Sequence, residues 1–242
     1  MIIHTLSSTM DAQTQQSAKQ AVGIHAAQLV ENGMRVGLGT GSTTAFAIKE
    51  LGRRVREEGL NFVGTPTSFA AERLGRQVGI SIVSLDVVDK LDIALDGADE
   101  VDPALNLIKG RGAAHTREKV VAALADTFVA LVDASKLVEQ LGSQKPVPVE
   151  VLPMAVTPVM RQLHELGADP VIRMGRSKDG PVVTDQGFWI VDAQFDGIPN
   201  PAALNQAIHA IPGVLDHGLF IEMTEVVLVA EEDGSVRTLD KH

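Results

Sequence analysis

Apolar residues recur along this chain in two rhythms. Over residues 11–32, Ala18, Val22, Ala26, Leu29 and Val30 fall three or four apart, which predicts a helix with one buried face, stopped by Asn32-Gly33. Short unbroken apolar runs then alternate with further helical spacings. Strands are expected at 34–38, 61–65, 80–83, 91–95 and 128–132, and helices at 43–56, 68–78 and 116–125. Unbroken apolar runs suit strands covered on both faces, and strand alternating with helix argues for a mostly parallel sheet with helices packed on it.

The rhythm changes after residue 136. Residues 145–153 contain Pro146, Pro148 and Pro153, which reads as an extended segment and a domain boundary. Beyond it, helices at 156–166 and 201–210 and strands at 171–174, 182–183 and 188–191, turning at Asp185-Gln186-Gly187, form a separate α+β pattern. Residues 226–230 and 236–239 flank Asp233-Gly234 and predict a hairpin. Residues 1–10 show no period and are expected to form a loose leader.

Composition narrows the partners. The 242 residues are 45% apolar, enough for one larger and one smaller core. The longest apolar runs fall far short of the roughly 20 residues of a membrane span, so no membrane partner is expected. Residues 1–20 lack the basic start and apolar run of a signal peptide. Cysteine is absent, which excludes disulfides and thiolate metal sites and fits a cytoplasmic location. A net charge of −10 and 3% aromatic residues argue against a nucleic-acid partner, which would need a basic face and stacking platforms. In so acidic a chain, a local concentration of Lys and Arg points to a specific anion pocket.

Four segments carry chemistry. Gly37-Leu38-Gly39-Thr40-Gly41-Ser42-Thr43-Thr44 follows a strand and opens a helix, so that backbone N–H groups, hydroxyls and the helix N-terminus can meet a phosphate. No Lys follows the glycines as in a Walker loop, and the six-residue dinucleotide fingerprint is incomplete. The plain alternative is a tight, capped turn. Asp96-Gly97-Ala98-Asp99-Glu100-Val101-Asp102 sets carboxylates after an apolar run, where a parallel sheet forms its sites; proton transfer, a divalent ion and a solvated acidic turn all suit it. Lys109-Gly110-Arg111-Gly112-Ala113-Ala114-His115-Thr116-Arg117-Glu118-Lys119 gathers positive charge around glycines. Thr116 reads as an N-cap, which puts Glu118 in the first helical turn, where the dipole favours the ionised form of a base. His115 reads as structural or surface. Asp133-Ala134-Ser135-Lys136 ends another strand with a lysine suited to an anionic group or simply to solvent.

Together these segments resemble the signature motifs of the ribose-5-phosphate isomerase A family, in the family's order and at similar spacings. Pro66-Thr67-Ser68-Phe69-Ala70-Ala71-Glu72, Pro148-Val149-Glu150-Val151 and Pro212-Gly213-Val214 with His217-Gly218-Leu219-Phe220 are lesser similarities. The resemblance implies an α/β fold: a Rossmann-like, mostly parallel sheet domain of residues 1–146 with 215–242, to which the last strands return, and a second, smaller ferredoxin-like α+β domain of residues 147–214. It implies interconversion of ribose 5-phosphate and ribulose 5-phosphate through an enediolate, no metal, no cofactor, and a homodimer or homotetramer. By position, Glu118 corresponds to the proton-transferring base. Asp96 corresponds to a carboxylate assisting ring opening or hydroxyl proton transfer, and Lys109 to the cation beside the developing oxyanion. Thr40, Gly41, Ser42, Thr43, Asp96, Gly97, Ala98, Asp99, Lys109, Gly110, Arg111, Gly112 and Lys136 correspond to substrate-binding positions. Arg111 stands where many members have Gly, and His115 where an apolar residue is expected. A sugar-phosphate-sensing module without catalysis and an acyl or coenzyme A transferase on a related sheet are the rival readings. The first predicts a missing base and the second a covalent carboxylate intermediate.

Overall fold

The computed structural model describes residues 12–241. The chain begins with α1 (Ala12–Ala27), β1 (Arg35–Leu38), α2 (Ser42–Glu57), β2 (Val63–Pro66), α3 (Phe69–Gln77), β3 (Ser81–Ile82) and β4 (Leu91–Gly97). Two short strands, β5 (Glu100–Val101) and β6 (Leu107–Ile108), lead to α4 (His115–Ala123) and β7 (Ala125–Asp133). Then come β8 (Val147–Val151), α5 (Val156–Glu165), β9 (Asp169–Ile172), β10 (Trp189–Gln194), α6 (Pro201–His209) and β11 (Val214–His217). The chain closes with β12 (Leu219–Phe220), β13 (Val226–Ala230) and β14 (Val236–Asp240).

Seven strands make the main sheet, ordered β14-β13-β7-β4-β1-β2-β3 and parallel except for the final β13–β14 hairpin. Its central strands carry consecutive apolar residues, 93–95 in β4 and 128–132 in β7, because both faces are covered. Ile93, Leu95, Val129 and Leu131 pack with residues of α1, α2 and α3. The alternate positions Ala94, Phe128, Ala130 and Val132 pack with Val121 and Ala122 of α4 and with Phe220. Strand order reverses between β1 and β4: the chain runs outward to β3, then returns to lay β4 on the other side of β1. Such a reversal leaves a crevice beyond the strands' carboxyl ends, and the segments beginning at Gly39 and Gly97 open into it.

The second sheet, ordered β11-β8-β10-β9, is antiparallel and receives its elements as β-α-β-β-α-β, the ferredoxin-like arrangement. Val147, Val149 and Val151 pack with Val159, Leu163 and Ile208 in its core. The smaller sheet β12-β6-β5 adjoins both. No helix among the described residues is long and apolar enough to cross a membrane.

Several local expectations change. The first helix ends at Ala27, and Gln28, Leu29 and Val30 donate three residues back, to His25, Ala26 and Ala27. That tighter turn buries Val30 but leaves Leu29 39% exposed. The proline-rich segment at 145–153 contains β8, a fully buried strand bonded on both sides. Strand β9 lies two residues earlier than expected, and 182–183 forms only isolated bridges, including Val183 with Trp189. Ala114, not Thr116, is the N-cap of α4; the Thr116 hydroxyl instead donates to Glu150. The leader expected at residues 1–10 lies outside the described residues.

One buried acid ties β5 to the loop that leads into β8. Glu100 is inaccessible, and its carboxylate accepts from the backbone N–H groups of Gly142 at 2.6 Å, Gln144 at 2.7 Å and Lys145 at 2.6 Å. Truncation leaves these donors unpaired, at 1–3 kcal/mol or so each. Glu100→Ala is therefore expected to lower unfolding stability by about 3 kcal/mol or more in urea titrations, whereas a change below about 1 kcal/mol would show that the loop holds itself.

Candidate active site

The close approach of two strand ends builds the floor of the crevice. A Cβ on Gly39 would lie 2.3 Å from Asp96 Cγ and 2.5 Å from the Leu95 carbonyl oxygen, so glycine is what lets the turn after β1 lie on β4. The Asp96 carboxylate accepts from Thr40 N at 3.1 Å and Gly97 N at 2.7 Å through Oδ1. Its other oxygen lies 3.1 Å from Lys109 Nζ. The same ammonium lies 3.1 Å from Glu118 Oε2, donates to the Gly97 carbonyl, and stands 5.3 Å from the centre of the Phe220 ring. Asp96, Lys109 and Glu118 are all buried. One ammonium thus serves two carboxylates out of bulk water.

Such sharing sets the charges. Burial, then the negative charge of Asp96, pushes the Glu118 carboxyl up to about 8 against the pull of Lys109. Burial likewise raises Asp96, opposed by Lys109. Burial disfavours the Lys109 ammonium, but the two carboxylates together hold its pKa above the ordinary lysine range.

Above this floor is a cavity of about 410 Å³. The buried Glu118 and Lys109 form its inner wall, and Asp99, the turns Gly97-Ala98 and Gly110-Arg111-Gly112, and Thr40, Gly41, Ser42, Thr43 and Lys136 complete the lining. Asp96 lies beneath Lys109 and is not part of the wall. Helix α2 starts at Ser42 after Gly41, whose φ of 128° glycine tolerates, and its first N–H groups have no partner one turn back. The Thr40 hydroxyl turns into the protein, 2.7 Å from Thr67 Oγ1 and 2.6 Å from Ser68 Oγ, so Thr40 meets the cavity mainly through its backbone.

The acidic run after β4 divides by role. Asp96 and Asp99 belong to the site, and Asp99 accepts from Arg111 N at 3.0 Å. Glu100 is the loop tie already described, and Asp102 closes its own turn by accepting from Ala104 N and Asn106 N. The basic run divides too. Arg117 lies over the Phe69 ring and donates to the Pro66 carbonyl, while Lys119 pairs with Asp216 at 2.5 Å. Neither lines the cavity. His115 is fully buried, with no hydrogen-bond partner for either ring nitrogen; burial, then the charges of Lys119, Arg173 and Lys109, hold its pKa down to about 3. It packs as a neutral ring against Gly110, filling the place of an apolar side chain.

Two wall residues escaped sequence reading: Gln15 and Lys19 of α1. Lys19 sits three residues before buried Val22 and next to buried Ala18, so the signal was a lysine beside the helix's apolar stripe. Among the described residues, the one group with ligand atoms close enough for a metal ion is His209, Asp216 and His217, on α6 and β11 and outside the cavity. There His209 Nε2 stands 3.1 Å from Asp216 Oδ1, the oxygen that Lys119 also engages, and His209 Nδ1 stands 2.9 Å from His217 Nε2.

The sequence of residues 63–234 matches the family model described as ribose 5-phosphate isomerase A (phosphoriboisomerase A). The chain is 61% identical to ribose-5-phosphate isomerase A of Thermosynechococcus vestitus, over 88% of this chain and 91% of that one. To the Methanosarcina acetivorans enzyme of the same name it is 48% identical, over 94% and 96%. The solved ribose 5-phosphate isomerase A of Methanocaldococcus jannaschii superposes with a TM-score of 0.90 at 47% identity, covering 94% of this chain and all of that one. A D-ribose-5-phosphate isomerase solved in complex with phospho-erythronic acid superposes with a TM-score of 0.91 at 44% identity, covering 93% and 99%.

The charge arrangement is open to direct observation. With carboxyl-labelled glutamate, the Glu118 carbon resonance is expected to titrate near pH 8, with the proton bound below that value. Asp96→Asn, which removes the neighbouring negative charge, is expected to move the titration to lower pH. A Glu118 that titrates near 4.5 in the native protein would contradict the shared-ammonium arrangement.

Proposed function

The chain belongs to the ribose 5-phosphate isomerase A family, and from that premise we propose that Glu118, Lys109 and Asp96 carry out its reaction. The enzyme interconverts D-ribose 5-phosphate and D-ribulose 5-phosphate. The single observation supporting our assignment is the buried Lys109 ammonium held 3.1 Å from both Asp96 and Glu118 at the inner wall of the cavity.

The chemistry follows from the carbonyl. In the open-chain aldose the C2 hydrogen is acidic because its loss gives an enediolate. Glu118 takes that proton in its ionised form and returns it to C1. Its raised pKa makes it a stronger base than an exposed glutamate and allows it to hold the proton near neutral pH. Lys109 faces the oxygen on which negative charge develops, in a site sheltered from water, where such stabilisation is strongest. We assign ring opening and hydroxyl proton movement between O1 and O2 to the Asp96–Lys109 pair, with Asp99 as the carboxylate on the cavity wall. The phosphate goes to the N-terminus of α2, between Lys19 and Lys136, where free N–H groups and two cations meet it. That remote grip fixes the sugar so that C1 and C2 face Glu118. The binding of phospho-erythronic acid by a related isomerase supports a cavity for a phosphorylated open-chain acid.

We further infer a homodimer or homotetramer, supported by the exposed Leu152, Met154, Val171 and Leu215 on or beside the smaller sheet's elements. A cytoplasmic location belongs to the same reading, since a phosphorylated sugar does not cross a bilayer unaided.

Two experiments test the assignment. Glu118→Gln should lower kcat by about 10²–10⁴-fold with little change in KM and the fold retained; near-normal turnover would remove Glu118 as the base. Lys19→Ala and Lys136→Ala should act chiefly through KM for ribose 5-phosphate, and an unchanged KM in both would move the phosphate elsewhere.

A further inference from the structure

A second cavity, of about 590 Å³, adjoins the first and shares Asp99, Arg111 and Gly112 with it. Four cationic side chains line it, Arg111, Lys145, Arg173 and Arg176, against two carboxylates, Asp99 and Asp192. Arg173 is committed: its Nε and Nη2 lie 2.8 and 2.5 Å from the two Asp192 oxygens, and its Nη1 donates to the carbonyls of Gly110 at 2.9 Å and Arg111 at 3.0 Å. This fork fixes the shared wall. By contrast, the charged groups of Arg111, Lys145 and Arg176 have no carboxylate partner among the described residues, in a chain with ten more acidic than basic side chains. Three uncommitted cations converging on one cavity leave excess positive charge there that a dianion would neutralise.

The linings of the two cavities give the ligand its shape. Lys19, Lys136 and the α2 N-terminus line the first cavity with Glu118 and Lys109, and Arg111, two residues after Lys109, lines both. A pentose with its 5-phosphate at the α2 N-terminus and C2 at Glu118 carries C1 beside the Lys109 turn, whose Arg111 opens onto the second cavity. We propose that the second cavity is a subsite for a phosphate carried on C1, so that the protein binds pentoses phosphorylated at both ends more tightly than their 5-monophosphates. The orientation of the sugar rests on the isomerase reading; the charge surplus does not. A 1,5-bisphosphate has no free aldose carbonyl at C1 to isomerise, so such a ligand occupies the site as an inhibitor.

The test uses two inert sugar alcohols, ribitol 5-phosphate and ribitol 1,5-bisphosphate, titrated calorimetrically into the native protein and into Lys145→Gln/Arg176→Gln at near-physiological salt. Ribose 5-phosphate turnover is measured on the same preparations. The bisphosphate is expected to bind about tenfold or more tightly than the monophosphate to the native protein, and to lose most of that advantage in the double variant. The variant's kcat and KM for ribose 5-phosphate should stay unchanged. Equal affinities in the native protein, or an advantage that survives in the double variant, would overturn the subsite while leaving the isomerase assignment intact. Absence of ribose 5-phosphate turnover by the native protein would instead strike at that assignment.

Discussion

One ammonium group shared by two buried carboxylates is the constraint around which the molecule is arranged. Removing three charges from water is costly unless each finds partners, and here the partners come from three separate elements: Asp96 at the end of β4, Lys109 after β6, and Glu118 in α4. None of the three is stable where it sits without the others. The strand reversal between β1 and β4, the glycine at position 39 and the return of β12 to β6 are what bring them within reach. The odd number of charges is as important as their proximity. With two acids and one cation, a carboxyl holds a proton far more firmly than an exposed one does, and so can take up and release it near neutral pH.

The second sheet, β11-β8-β10-β9, contributes to this arrangement without lining the first cavity. Glu150 of β8 accepts from the hydroxyls of Thr116, in α4, and Thr184. Lys119, the next residue after Glu118, donates to Asp216 and to the His217 carbonyl in β11. Arg173 holds the carbonyls of the Gly110 turn. The helix bearing Glu118 and the turn following Lys109 are therefore held from outside the main sheet, and parting the two sheets would disturb the geometry of the shared ammonium.

The site was legible in the sequence to the extent that local chemistry determined it. Glycines between a strand and a helix, carboxylates after an apolar run and a lone concentration of cations each have few uses in an acidic chain, and Gly39, Asp99, Lys109 and Glu118 gather as those signals implied. What long-range contacts decide was not legible. Nothing near Thr116 shows that its hydroxyl is claimed by Glu150, 34 residues away. Glu100 and Asp96 look alike in sequence, yet one ties a loop and the other holds a lysine. Strand β8 was hidden by its prolines, which a strand tolerates where neighbouring bonds make up the loss: Pro148 cannot donate, but its carbonyl accepts from Gly218 at 2.7 Å. Lys19 was missed because it belongs to the site through the packing of α1, not through any neighbour in sequence.

Phe220 has a further consequence. Its buried ring lies 5.3 Å from the Lys109 ammonium and 5.2 Å from that of Lys119, so one phenyl group meets both the cation shared by Asp96 and Glu118 and the cation anchored on Asp216. The ring's electron-rich faces attract both ammonium groups, yet it has no dissociable hydrogen and no lone pair along which a proton can hop. A proton therefore cannot hop through this ring from Lys119 to Lys109: the phenyl group holds both cations by their charge while giving neither a path to the other.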